Sequence, residues 1–137
     1  MPKSDRCKME CNFDHVHILS SDPEAVAVWF EKMLDGEIIR SEHGGKPRVD
    51  VRLGGQMIFI LQVPAADTGV APEHPHRGLD HFGVSVKNID SVHEELKRRG
   101  AEFSQPLHMP RPGIKLMFLK GPEGISVEVL ERNAEFR

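Results

Sequence analysis

Residues 13–19, FDHVHIL, and residues 79–86, LDHFGVSV, share an Asp-His pair followed by apolar side chains at alternating positions. Such alternation is typical of a strand with one buried face. A shift of 66 positions places the first pair, Asp14 and His15, on the second pair without a gap. The two stretches therefore predict equivalent strands that open two copies of one structural unit.

Each of these strands is followed by the signals of a helix. Asp22 is a favourable N-cap, Pro23 suits the first helical position, and apolar residues recur at helical spacing until Gly36, which predicts the end of the helix. In the second unit Asn88 is the expected cap and Gly100 the expected end. Each unit thus continues from a strand into a helix.

Three short strands are predicted after each helix. In the first unit they fit residues 37–40, 48–53 and 56–63, with Gly-Gly turns between them, and in the second unit residues 102–105, 114–119 and 125–130. Each unit is then a βαβββ module. Two such modules predict an α+β fold with a cupped, mostly antiparallel sheet and helices on its outer face.

The chain length of 137 residues suits one domain. We expect a single domain over 1–137, divided into a tail at 1–12, a first module at 13–64, a proline-rich and histidine-containing linker at 65–77 and a second module at 78–132.

Composition excludes several classes of partner. The formal net charge is −3 and no Lys/Arg run is interleaved with aromatic residues, so we expect no nucleic-acid partner. No apolar stretch is long enough to span a membrane, and the first residues lack the apolar middle of a signal peptide. We therefore expect a cytoplasmic protein without membrane contact, in which Cys7 and Cys11 are free thiols.

Strand parity predicts which polar side chains share a face. With Phe59 turned towards the helices, the opposite face carries His15, Gln62, His81 and Glu128, and the shift of 66 lays Glu128 on Gln62. If the two sheets form a cup, these side chains converge as two nitrogen and two oxygen ligands for one divalent transition metal such as Ni, Co, Mn, Fe or Zn. The alternative is that these are ordinary strand residues that bind no metal. A two-residue slip in the pairing of the strand that carries Gln62 would also put an apolar side chain in its place.

Charged residues on the predicted third strand lie on the same side. Arg48, Asp50 and Arg52 alternate with apolar residues, so Asp50 would point into the cup as a catalytic base. The two arginines could bind a substrate carboxylate or phosphate, and His17 could line the pocket. The alternative for all of them is a solvated polar surface.

The sequence resembles the vicinal oxygen chelate superfamily, which includes glyoxalase I, methylmalonyl-CoA epimerase, extradiol dioxygenases and the bleomycin and fosfomycin resistance proteins. The resemblance rests on residues 13–16 and 78–81, which open the units, and on residues 121–129, GPEGISVEV. It implies metal ligands at His15, His81 and Glu128 with Gln62 at a variable fourth site, an order most similar to the epimerase branch. It also implies a base at Asp50 and a homodimer.

Several reactions remain open at this point. The leading expectation is an isomerase, epimerase or lyase that abstracts a proton next to a carbonyl, with Asp50 and Glu128 as catalytic residues and the enolate stabilised on the metal. An extradiol-type dioxygenase uses the same two histidines and one glutamate, but that chemistry normally employs a tyrosine and this chain contains none. A fosfomycin-type thiol transferase remains possible because it too uses two histidines and a glutamate, although its potassium-binding loop is not matched here. A drug-binding resistance protein without enzyme activity is the last alternative, and His15, His81 and Glu128 together argue against it. All of these proteins take a small molecule.

Overall fold

The computed structural model describes residues 7–137, so half of the predicted tail at 1–12 lies outside the described residues. Two helices and eight strands follow one another in the predicted order. The helices are α1 (Pro23–Leu34) and α2 (Ile89–Arg98). The strands are β1 (His15–Ser20), β2 (Glu37–His43), β3 (Lys46–Leu53), β4 (Gln56–Gln62), β5 (Phe82–Ser85), β6 (Glu102–Arg111), β7 (Ile114–Lys120) and β8 (Ser126–Arg132).

The strands form two four-stranded sheets of the same topology. The first sheet has the order β1-β4-β3-β2 and the second has the order β5-β8-β7-β6. β1 pairs with β4 and β5 with β8 in parallel, whereas all other neighbours are antiparallel. The prediction of an α+β fold built from two βαβββ modules is confirmed.

Local signals position α1 as expected. The carboxylate of Asp22 accepts a hydrogen bond from the backbone N–H of Ala25 at 3.2 Å. The helix ends in a left-handed residue at Asp35, and Gly36 comes directly after it. A Cβ at Gly36 would lie 2.7 Å from Val51 Cγ1, so glycine is needed there for close packing of the helix against β3.

The start of α2 depends on a contact from a distant strand. Asn88 lies at the cap position, but its side chain makes no capping hydrogen bond. The carboxylate of Glu131 in β8 accepts instead from the backbone N–H groups of Asn88 at 3.2 Å and Ile89 at 3.0 Å. An anionic group at the positive end of the helix replaces the side-chain cap expected from the sequence.

One hydrophobic core contains residues of both modules. The ring of Phe30 in α1 stacks on that of Phe82 in β5, with centroids 6.2 Å apart. Arg99, after α2, contacts Asp35, after α1, at 2.7 Å. Within residues 7–137, the helices are too short and too polar for any of them to cross a membrane.

The parity predicted for β4 is wrong. Val16 pairs with Ile58 and His17 pairs with Phe59, so the even-numbered residues of β4 join the core. Ile58 and Ile60 are buried there, whereas Phe59 lies on the opposite face with the histidines. Nearly every residue of this strand is apolar, so its sequence does not show which face is buried.

The largest difference in length between equivalent strands of the two modules lies in β2 and β6. β6 has 10 residues and β2 has 7, and the pairing of β6 with β7 shifts register three times. The extra residues change the spacing between equivalent positions in the later strands. A constant shift of 66 therefore holds for the first strands of the two modules and fails for the last.

Candidate metal site

Each sheet has one face covered by the core and one face that carries histidine. We call the latter the histidine face. On the first sheet it is defined by His15, His17 and Leu19 of β1 and the facing residues of β4. On the second sheet it is defined by His81, directly before β5, and Glu128 of β8.

His81 and Glu128 meet on the histidine face of the second sheet. Nε2 of the imidazole lies 3.1 Å from Oε1 of the carboxylate, and both side chains are partly buried. Gly83 is the register partner of Glu128, and a Cβ there would lie 3.7 Å from Glu128 Oε1, so glycine leaves space beside the carboxylate. The ring of Phe118 stands edge-on to His81, with centroids 4.7 Å apart. The structure thus brings together two of the predicted ligands.

An aspartate orients each of the two candidate ligand histidines. Nδ1 of His81 lies 2.7 Å from Oδ2 of Asp80, and Nδ1 of His15 lies 2.7 Å from Oδ2 of Asp14. The hydrogen bond from His81 holds the pKa of the Asp80 carboxyl below its ordinary value, and the charge of His74 adds to this. Because an ionised carboxylate only accepts hydrogen bonds, Nδ1 of each imidazole donates to its aspartate, and Nε2 points away from that aspartate.

The distance between the two donors of the second module fits a shared cation. Two ligand atoms that each lie about 2.1 Å from one ion, at roughly a right angle, are about 3 Å apart. An imidazole Nε2 lone pair facing a carboxylate is unfavourable without a proton or a metal ion between them. The observed 3.1 Å between His81 and Glu128 therefore meets a geometric requirement of two neighbouring ligands.

The third predicted ligand does not join this pair within one chain. Over residues 7–137, no three His, Cys, Asp or Glu side chains are grouped closely enough to hold a metal ion. The imidazole of His15 instead stacks on Phe59, with ring centroids 4.3 Å apart. A single chain thus brings together two candidate metal donors, His81 and Glu128, which we call the half-site, and holds His15 apart from them.

Phe59 occupies the position that the sequence assigned to Gln62. In the strand pairing, Phe59 lies beside His17 and Glu128 lies beside Gly83. His17 and Gly83 are equivalent residues of the two modules, related by the shift of 66. Glu128 is therefore equivalent to Phe59, at a shift of 69. Gln62 pairs with the buried Ser20, at the parity of the core residues, and does not share the face of His15.

Asp50 lies on the histidine face of the first sheet, where it pairs with Phe59 across β3 and β4. The residue is 7% exposed, and its carboxylate oxygens accept from Arg48 Nε at 2.9 and 3.2 Å and from the backbone N–H of Ile60 at 3.2 Å. The guanidinium carbon of Arg48 lies 4.9 Å from the centroid of the Phe59 ring. Asp50 thus holds Arg48 over Phe59.

The other predicted substrate contacts are more peripheral. Arg52 contacts Glu37 at 3.4 Å, and both side chains are exposed. The ring of His17 lies 6.1 Å from those of His15 and Phe59. His17 therefore belongs to the surface around His15, and Arg52 lies nearer to the outer strands.

Sequence reasoning did not identify the partners of the histidines. The Asp that precedes each His was used only to recognise the duplication. The same repeated Asp could also have predicted a carboxylate that orients the histidine. No local pattern indicates that His74 contacts Asp80, which it does at 2.7 Å.

Comparisons with known proteins agree with this fold. Residues 12–129 match the family model described as the glyoxalase/bleomycin resistance protein/dioxygenase superfamily. The chain therefore belongs to this superfamily, in agreement with the resemblance seen in the sequence. Its members in general bind small-molecule substrates and typically use a divalent metal.

Individual relatives are more distant. Glyoxalase I of Saccharomyces cerevisiae is 35% identical over 63 residues, which are 46% of this chain and only 19% of the yeast protein. A glyoxalase family protein of Enterococcus faecalis is 28% identical with a TM-score of 0.67, covering 88% of this chain and 97% of that one. A glyoxylase/bleomycin resistance protein/dioxygenase domain of Frankia sp. EAN1pec has a TM-score of 0.71 at 21% identity, covering 91% and 100%, and supports the fold alone.

Proposed function

We propose that this protein is a divalent-metal-dependent enzyme that acts on a small molecule through two neighbouring oxygen atoms. The observation that carries the proposal is the 3.1 Å approach of His81 Nε2 to Glu128 Oε1, with Asp80 behind the imidazole. The same Asp-His geometry recurs at Asp14 and His15, which supports a second histidine ligand. Two imidazoles and one carboxylate form a suitable donor set for a first-row divalent ion.

The proposed active form is a homodimer in which His15 of one copy completes the half-site of the other. Two observations support it. His15 does not join His81 and Glu128 within one chain, and the histidine face of the first sheet exposes a cross-strand apolar pair. Leu19 is 55% and Leu61 51% exposed, and an apolar pair beside polar site residues is typical of a covered surface.

The leading reaction is proton abstraction next to a carbonyl, as in an isomerase, epimerase or lyase. A bound divalent ion would supply the positive charge that stabilises the oxyanion formed in such a reaction. In this proposal Asp50 is the base and Arg48 binds a carboxylate of the substrate. Because Arg48 now occupies both oxygens of Asp50, its movement towards a substrate anion would free the carboxylate to accept a proton.

An extradiol-type dioxygenase is the second candidate, and Phe59 favours it. With an aromatic ring in place of a fourth donor, the proposed set is two histidines and one carboxylate, which leaves open coordination positions and is typical of Fe(II) oxygenases. The absence of tyrosine from the sequence opposes this reaction, since extradiol cleavage normally employs one.

Metal analysis of the purified protein tests the common part of both candidates. We expect about one transition metal ion per chain, lost in His81→Ala and in Glu128→Ala and retained in His43→Ala, which removes an exposed histidine at the end of β2. Metal-free wild type that still binds an aromatic drug would overturn the enzyme proposal in favour of a drug-binding protein.

Substrate assays separate the reactions. Solvent deuterium exchange into 2-substituted acyl-CoA thioesters would support proton abstraction, whereas oxygen consumption with catechols would support the dioxygenase. Thiol-dependent loss of fosfomycin with neither of these activities would overturn both in favour of thiol transfer.

A further inference from the structure

The carboxylate of Asp80 joins two histidines from different segments of the chain. Its Oδ2 lies 2.7 Å from Nδ1 of His81, and its Oδ1 lies 2.7 Å from Nδ1 of His74. His74 belongs to the segment between the two modules, and this segment contains no helix or strand. Since an ionised carboxylate only accepts, both histidines donate from Nδ1, each to a different oxygen.

The first module provides an internal comparison. Asp14 accepts from Nδ1 of His15 at the same distance of 2.7 Å. Among the contacts of residues 7–137, Asp14 has no second histidine, and its side chain is 84% exposed against 37% for Asp80. His74 is thus a contact that the second Asp-His pair has and the first lacks.

We propose that His74 is a positioning residue for His81 that acts through Asp80. By holding Oδ1, His74 restricts the rotation of the carboxylate and keeps Oδ2 in line with Nδ1 of His81. The hydrogen bond at one ring nitrogen decides which tautomer an imidazole adopts. His74 therefore favours the His81 tautomer with its proton on Nδ1, which leaves the Nε2 lone pair available to a metal ion held together with Glu128.

The consequence for metal binding rests on the proposed function, whereas the effect on the tautomer does not. Residues behind a ligand histidine fix its orientation and raise its basicity as a ligand. Asp80 supports His81 directly, and His74 in turn supports Asp80. The segment between the modules is thereby coupled to the half-site through a single carboxylate.

The tautomers of His81 and His15 can be compared in the metal-free protein by nitrogen-15 NMR of labelled histidine, at a pH where both rings are neutral. We expect the Nδ1–H fraction of His81 to fall from wild type to His74→Ala, while that of His15 stays the same. Glu128 lies opposite Nε2 of His81 in both proteins, so its effect cancels in this comparison. His74→Asn keeps an N–H donor near the position of Nδ1 and should restore the His81 fraction, and His76→Ala, whose ring contacts the Arg77 carbonyl, should leave that fraction unchanged.

Titration of the same proteins with zinc provides the second readout. Loss of a residue that directly supports a ligand costs about 10- to 100-fold in affinity, which is the range we expect for Asp80→Ala. His74→Ala should weaken binding by about three- to tenfold, because the direct partner remains. His74→Asn should recover most of that loss.

The outcomes separate this inference from the proposed function. An Nδ1–H fraction at His81 that His74→Ala does not change would overturn the positioning role. If His74→Ala changes the tautomer of His81 as expected but the wild-type protein does not bind zinc, the metal proposal is overturned and the role of His74 remains supported.

Discussion

The imidazole of His15 stacks on the ring of Phe59, with centroids 4.3 Å apart and planes inclined by 38°. Phe59 has in the first module the position that Glu128 has in the second, where the carboxylate approaches His81. The two modules therefore surround equivalent histidines with an aromatic ring in one case and an acid in the other. This difference determines how many donors the chain can offer to a metal.

Replacing Phe59 by glutamate should add the missing donor. We expect Phe59→Glu to tighten binding of a divalent ion by roughly tenfold or more, because an additional charged ligand is supplied beside His15. The variant also loses the contacts with His15 and Arg48, so its stability should fall by about 1–3 kcal/mol. Phe59→Leu is the matched control, since it loses the same contacts without gaining a donor. Equal metal affinity of the two variants would show that Phe59 does not face the site.

Mixing two inactive variants tests whether the site is shared between copies. His15→Ala and His81→Ala should each lack metal alone. If one copy supplies His15 and the other His81, a mixed dimer retains one intact site, and random pairing of equal amounts restores about a quarter of the wild-type metal content. Co-purification through two different tags would isolate the mixed dimer. Metal-free mixed dimers would contradict a shared site.

A charge on the exposed apolar pair should prevent dimer formation. Leu61 faces Leu19 across β1 and β4. We expect Leu61→Asp to weaken association by roughly a hundredfold, because a carboxylate would be buried without a partner, and to abolish metal binding while the fold is kept. Light scattering and circular dichroism measure the two properties. Val28→Asp, on an exposed position of α1, is the control and should remain dimeric.

The ion pairs at the C-terminal end of α2 should make the stability of the fold depend on pH in the acid range. Hydrogen bonds from Arg98 and Arg99 hold the pKa of Glu95 below its ordinary value of 4.5. Because the folded-state pKa is lowered, this stabilisation is present above the unfolded pKa and is lost as the pH falls through the folded value. Glu95→Gln should therefore have a lower Tm than wild type near neutral pH, and the difference should shrink towards pH 3.

The control for this comparison is Glu42→Gln, an exposed position at the end of β2. Its Tm should follow that of wild type throughout the acid range. A constant difference between Glu95→Gln and wild type from neutral pH to pH 3 would contradict the ion-pair explanation.

Strand boundaries were predicted well where the local pattern is strong and poorly where prolines interrupt it. The sequence predicts a strand over residues 102–105, which Pro106 and Pro110 follow. Proline lacks the N–H needed inside a sheet. β6 continues to Arg111 nonetheless. It is an edge strand that pairs only with β7, so it tolerates prolines that a central strand would exclude.

The sequence by itself determined the duplication, the α+β modules and the two Asp-His pairs, because these depend on local spacing and periodicity. Its motifs also resemble those of the superfamily to which the chain belongs. Only the tertiary structure decided that Phe59 rather than Gln62 faces His15, that His81 meets Glu128, and that His74 reaches Asp80. These relationships depend on strand register and on contacts between segments distant in the chain. An apolar strand such as β4 and an extended β6 leave that register undetermined until the sheets are assembled.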